Sequence, residues 1–302
     1  MRMLLFGKGG QVGWELQRSL APLGELVALD ADSQELCGDF NRLDGIAQTI
    51  RAVAPDVIVN AAAYTAVDKA ESEPERVRVI NALAPAMLAR ESRELGAWLV
   101  HYSTDYVFDG SGSKPWLETD ATGPLSVYGA TKLEGEKAIL ASGCRHLIFR
   151  TSWVFAARGG NFAKTILRLA QERECLTVIN DQIGAPTGAD LLADVTAHVI
   201  RTALQRQEQE ISGLYHLVAA GETSWYGYAF FVLNLARQAA VRLKVAPESI
   251  LPVPTSAFPL PAQRPGNSRL DTHKLRSTFD LTLPLWQVGV ARMLTETLEK
   301  QS

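Results

Sequence analysis

Apolar and polar positions along the first 180 residues follow two alternating rhythms. Short unbroken apolar runs at residues 3–6, 26–29, 56–60, 98–102, 146–150 and 176–179 have the length and composition of strands buried on both faces, as parallel sheets require. Between them lie stretches of helical period, at 14–20, 44–53, 74–95, the segment after Tyr128, and 161–172. Residues 37–40 read as a further short strand. Strand and helix in alternation predict a parallel, doubly wound α/β sheet. Beyond Gln182 the rhythm loosens. Helices are expected at 189–204, 225–240 and 286–298, a strand at 214–218, and an irregular loop at 251–265, which carries five prolines. The expected division is a dinucleotide-binding domain at 1–150, with 176–206 returning to it. Residues 151–175 and 207–302 then form a smaller α/β substrate-binding portion.

The first strand runs directly into Gly7, Gly10 and Gly13, which open the first helix. Small residues there let the backbone approach a pyrophosphate at the helix N-terminus. The spacing is G-x-x-G-x-x-G, because Val12 occupies the last position of the G-x-G-x-x-G alternative. Asp30 ends the second strand, where an acid takes the adenosine ribose hydroxyls, and Asp39 falls near the adenine edge. Ala61-Ala62-Ala63 follows the strand at 56–60, on the carboxyl edge where open α/β sheets bind ligands.

Tyr128 and Lys132 lie four residues apart on a helix and share a face. A phenol near its ordinary pKa of about 10 is a reluctant proton donor, and a neighbouring ammonium eases the transfer. Thr104 comes just after the strand at 98–102, on the same edge. A hydroxyl, a phenol and an ammonium form a carbonyl-reducing set: carbon accepts hydride while oxygen takes the tyrosine proton.

Composition removes other classes. The chain of 302 residues is 47% hydrophobic and 21% charged, with net charge −3. Neither this balance nor any basic tract supports nucleic-acid binding. No apolar run is long enough for a membrane span, and nothing at the N-terminus reads as a signal peptide. Cys37, Cys144 and Cys175 are scattered and odd in number, which predicts reduced cytoplasmic thiols. The five histidines lack zinc spacing. Asp190 and Asp194 are carboxylates one helical turn apart, with Glu15 on the first helix as a third acid.

The glycine loop, Ser103-Thr104 and Tyr128/Lys132 together resemble the extended short-chain dehydrogenase/reductases. Longer stretches, among them residues 60–71, 103–110, 150–155, 180–187 and 264–271, are similar to its reductases of dTDP-linked deoxysugars. That resemblance implies Tyr128 as proton donor, Lys132 on the nicotinamide ribose and Thr104 on the sugar carbonyl. It places Gly10, Gln11 and Val12 at the pyrophosphate, Asp30, Asp39 and Phe40 at the adenosine, and Ala63, Tyr64, Thr65 and Tyr102 along the cofactor path. Asp105 and Trp153 are expected at the deoxysugar, and Asn161 and Phe162 at the nucleotide diphosphate. NADPH is the implied cofactor, with NADH also accepted, since Asp30 would repel a 2′-phosphate. A cytoplasmic homodimer is implied, with Mg²⁺ at its contact held by Glu15, Asp190 and Asp194. The alternatives are a dehydratase or epimerase of the same fold and a non-catalytic dinucleotide-binding subunit. The first is disfavoured because Tyr106, not a second acid, follows Asp105. The second is disfavoured by the intact Thr104/Tyr128/Lys132 set.

Overall fold

The computed structural model describes residues 1–206 and 211–299. In chain order the first half runs β1 (Arg2–Phe6), α1 (Gln11–Leu20), β2 (Glu25–Leu29), α2 (Leu43–Val53), β3 (Val57–Asn60), α3 (Val67–Ala70), α4 (Pro74–Arg78), α5 (Ala84–Leu95), β4 (Trp98–Thr104), α6 (Val127–Ala141) and β5 (Arg145–Thr151). The second half runs β6 (Val154–Phe155), α7 (Phe162–Glu172), β7 (Leu176–Ile179), β8 (Ile183–Gly184), β9 (Thr187–Gly188), α8 (Ala189–Arg206), β10 (Gly213–His216), β11 (Thr223–Ser224), α9 (Trp225–Gln238), β12 (Ile250–Val253), α10 (His273–Phe279) and α11 (Trp286–Glu299).

A six-stranded sheet of order β10-β5-β4-β3-β1-β2 forms the centre, and every neighbouring pair in it is parallel. Period-two alternation sends its side chains to two cores. Met3, Leu5, Val57 and Val59 pack with Leu16 and Leu20 of α1 and Leu192, Val195 and Val199 of α8. Leu4, Phe6 and Ile58 pack on the other face with Ile46 and Ile50 of α2, Leu88 of α5 and Ile139 of α6. Both faces are therefore covered, which explains the continuous apolar strands.

A second core gathers α7, α9, α11, β7 and β12. Strand β7 was expected to return to the large sheet with residues 176–206. It pairs instead with β12, because Leu176 and Val178 are buried against the second core. Helix α8 does return. So does β10, which extends the large sheet beside β5 although it lies within 207–302. Strand β12 falls inside the proline-rich stretch that reads as a loop. Among the described residues it pairs with β7 alone, so one edge needs no donor, which tolerates Pro252.

Two further expectations change. Residues 37–40 form no strand. The Thr49 hydroxyl takes the Cys37 carbonyl at 3.0 Å, Phe40 turns into the core edge-on to Phe6, and the sheet ends at β2. The helix expected at 74–95 is interrupted by a π turn at Val79–Leu83. Pro85 follows directly; it lacks an N–H and disrupts regular α pairing there.

Candidate active site

Helix α6 brings Tyr128 and Lys132 to the carboxyl edge of the sheet. Ser126 caps it, accepting from Gly129 N–H at 3.2 Å. Gly129 lets the helix start press against the preceding loop: a Cβ there would lie 2.2 Å from the Tyr106 carbonyl oxygen. The Tyr128 ring meets Tyr106 edge-on, with centroids 5.6 Å apart. Thr104 ends β4, and its hydroxyl donates to Asp105 Oδ1 at 3.0 Å while accepting from Tyr106 N–H. Burial pushes the Tyr128 phenol up to about 12, and its hydrogen bond with Thr104 works against that shift. The phenol thus holds its proton until charge develops on a neighbouring oxygen. Asp105 is pushed up to about 6 by burial, opposed by the Ser268 and Thr104 hydroxyls.

Lys132 is only 2% exposed. Its Nζ donates to the Tyr102 carbonyl at 2.6 Å and lies 3.1 Å from His101 Nε2. Burial brings the amine down to about 8, against the pull of Glu136 one turn further along α6. Glu136 itself is held by Arg150 of β5 in a forked, fully buried ion pair, with contacts of 3.0 and 2.6 Å. That pair pins α6 to the sheet.

The glycine loop fits a dinucleotide. Gly13 packs so tightly on the loop that a Cβ would sit 1.9 Å from the Gly7 carbonyl oxygen. Gly10 begins α1 in extended conformation, and no side chain caps the helix. Its first N–H groups are therefore available to an anion. Asp30 accepts from Gly9 N–H at 2.8 Å through Oδ2, so it braces the loop from the end of β2. Ala63, Tyr64 and Thr65 follow β3 on the same edge. The Tyr64 hydroxyl, however, is given to Glu73 at 2.9 Å.

Several predicted contacts are redirected. The Phe40 ring lies in the core, and Asp39 accepts from both nitrogens of Asn41 in a local turn. The Tyr102 side chain points to the α8 face, where its hydroxyl meets Thr196 at 2.6 Å; strand alternation leaves only its carbonyl at the site. Asn161 is a helix cap: it accepts from Lys164 N–H and donates to the Ala156 carbonyl, which leaves one N–H and one lone pair of its carboxamide uncommitted. Trp153 adopts a positive φ of 49° and stacks on Trp225 at 3.6 Å. Phe162 leans on the same indole at 4.6 Å.

Trp225 lines a mainly apolar cleft of about 330 Å³ with Phe162, Ile166, Gln182, Phe258 and Arg264. Its indole N–H donates to Gln182 Oε1 at 3.0 Å. Arg264 pairs with Asp68 at 2.8 Å and hydrogen-bonds Tyr106, which links the cleft to Tyr128. Trp225, Gln182, Arg264, His101 and Asn60 are residues that the sequence did not single out one by one; Gln182, Arg264 and Asn60 stand only inside stretches that carried the resemblance.

The three acids expected at the Mg²⁺ site lie on α1, Glu15, and on α8, Asp190 and Asp194. Among the described residues, no group of three or more His, Cys, Asp or Glu side chains is placed to hold a metal. Arg18 bridges Glu15 and Asp194 at 3.3 and 2.8 Å, and Arg292 lies 3.5 Å from Asp190. Glu15, Arg18, Asp190 and Arg292 line a cavity of about 500 Å³ between α1 and α11 that includes none of Thr104, Tyr128 and Lys132. Within one chain these carboxylates pair with guanidinium groups.

A phenol backed by a buried amine, beside an uncapped glycine-loop helix, suits hydride exchange between a dinucleotide and a carbonyl. The fold and site define an oxidoreductase of the short-chain dehydrogenase/reductase type. Comparison with known proteins narrows the class. Residues 1–299 match the model of the RmlD substrate binding domain family. The dTDP-4-dehydrorhamnose reductase of Salmonella typhimurium is 62% identical over 296 residues, covering 98% of both chains. That of Burkholderia thailandensis is 46% identical over 302 residues, covering 99% of this chain and all of the relative. A crystal structure of the Bacillus anthracis dTDP-4-dehydrorhamnose reductase in complex with NADP superposes with a TM-score of 0.85, at 34% identity over 98% of this chain and 99% of the other. The chain belongs to the dTDP-4-dehydrorhamnose reductase family.

Proposed function

We infer that this protein reduces the 4-keto group of dTDP-4-dehydro-L-rhamnose to give dTDP-L-rhamnose, with NADPH as reductant. One observation carries the reading. Tyr128 is buried close enough to Thr104 for that hydroxyl to ease its phenol's pKa and lies one turn from buried Lys132, in a chain 62% identical over nearly its whole length to a reductase of that name. Bound NADPH supplies the hydride that reaches C4. The Thr104 and Tyr128 hydroxyls hold the carbonyl oxygen. Tyr128 gives up its proton as negative charge gathers there, and the Lys132 ammonium offsets the phenolate left behind.

The remaining groups hold the two nucleotides. Gln11 and Val12 offer their N–H groups to the pyrophosphate, Gly10, whose own N–H is donated to the Gly7 carbonyl, lets the backbone approach it, and Lys132 reaches the nicotinamide ribose. Asp30 faces the adenosine ribose. Its charge disfavours a 2′-phosphate without a cation to offset it, so NADH serves as well. Trp153 and Asp105 contact the deoxysugar, Phe162 and Trp225 enclose the base, and Arg264 meets the diphosphate. The protein acts as a cytoplasmic homodimer; among the described residues no helix is long and apolar enough to cross a membrane.

Loss of NADPH absorbance with dTDP-4-dehydro-L-rhamnose, against the UDP- and GDP-linked keto sugars, tests this. Rapid oxidation with the dTDP sugar and weak turnover of the others is expected. No oxidation with the dTDP sugar would overturn the reading. Measured kcat/KM for both coenzymes checks Asp30; complete rejection of NADH would remove its assignment.

A further inference from the structure

Lys132 sits at the end of a buried hydrogen-bond chain whose polarity the backbone fixes. Ala62 N–H donates to Asn60 Oδ1 at 3.1 Å. A backbone amide can only donate, so the carboxamide oxygen of Asn60 must face it. The amide nitrogen of Asn60 then faces His101 Nδ1, at 2.9 Å. That nitrogen can only donate, so Nδ1 of His101 must accept, and the ring proton belongs on Nε2. Nε2 lies 3.1 Å from Lys132 Nζ. An N–H aimed at an ammonium is a donor against a donor, whereas a neutral amine offers it a lone pair. Asn60, His101 and Lys132 are all buried, so water does not relieve the conflict.

We propose that Asn60 and His101 set the charge on Lys132: by holding the imidazole as its Nε2–H tautomer, they favour the neutral amine in the empty enzyme. Asn60 and His101 are thus positioning residues for the reduction, acting through Lys132. The role of Lys132 itself rests on the function inferred above; the tautomer does not. Protonating Lys132 requires His101 to move its proton to Nδ1, against the Asn60 amide, or Asn60 to turn and abandon Ala62 N–H. Either route costs a buried hydrogen bond. The relief is an acceptor other than His101 within reach of Nζ, and the hydroxyls of a bound ribose are such acceptors. Coenzyme binding is then accompanied by proton uptake at Lys132.

The charged surroundings do not account for this. On α6 itself, Glu136 favours the ammonium but is engaged by Arg150 of β5, and Tyr128 is protonated. From β4 and the turn after it come His101, kept neutral by burial, and Asp105, engaged with Thr104. Arg78, just before the π turn that packs on α6, is exposed and paired with Glu134.

Nitrogen-15 spectra of the full-length, coenzyme-free protein labelled at histidine read the tautomer directly, with His101→Gln identifying the signal. At a pH above the lysine's titration, His101 is expected to carry its proton on Nε2. A proton on Nδ1 would overturn the proposal, whatever the enzyme reduces. Asn60→Asp is isosteric but can only accept, so it is expected to transfer the ring proton to Nδ1 and turn Nε2 into an acceptor for an ammonium. The alkaline limb of kcat/KM, which reports the free enzyme, should then move upward by at least one pH unit, a tenfold change in proton affinity. A new carboxylate would also raise the lysine pKa by its charge alone, so the tautomer is the deciding readout. An unchanged tautomer in Asn60→Asp would refute the assignment. If that variant does not fold, the wild-type spectrum still decides.

Discussion

Tyr128 and Lys132 on α6 share their spacing with Asp190 and Asp194 on α8, yet the fold treats the two pairs in opposite ways. Lys132 is sealed beneath β4, 2% exposed, and every contact of its amine is to a strand residue. The side chains of Asp190 and Asp194 are 27% and 47% exposed and meet Arg292 and Arg18. Burial moves the first pair away from ordinary acidity, the phenol upward and the amine downward. Solvent and guanidinium groups leave the second pair as surface ion pairs, worth little each. One-turn spacing therefore carries chemistry only where a sheet edge desolvates it.

The sharpest way to break this contrast is Glu136→Gln. It leaves Arg150 as an uncompensated buried charge, and a loss of about 3–5 kcal/mol is expected in urea unfolding. A loss below about 1 kcal/mol would show that the pair does not anchor α6. Next comes Tyr128→Phe, which removes the proton donor while keeping the ring against Tyr106. A fall in kcat of about 10²-fold or more is expected with the fold intact by circular dichroism; retention of activity would sink the assigned role. The smallest effect belongs to the outer pair. Asp190→Asn combined with Asp194→Asn should leave kcat within about twofold and change stability by no more than about 1 kcal/mol. EDTA should leave the mass by light scattering unchanged, and dissociation on chelation would restore a bridging cation.

The sequence alone determined a good deal. Continuous apolar runs separated by helical periods specified a parallel sheet, because only strands buried on both faces can read that way. The glycine spacing offered a dinucleotide loop before α1, and the Tyr128/Lys132 face offered a candidate reacting pair. These features are local: a side chain's face follows from helical or strand geometry within a few residues. What only the tertiary structure decided is which partner each local element meets. Strand β7 reads like any buried strand, but Leu176 and Val178 found the second core and β12. Phe40 and Tyr102 sit beside the site in sequence yet point into the cores, and Asn161 caps a helix start. The alternation of apolar residues carries no record of Asn60, His101 and Lys132 as a chain, since they come from a strand end, a strand and a helix separated by 41 and 31 positions. Hydrogen-bond polarity between such distant groups exists only once packing has excluded water from them.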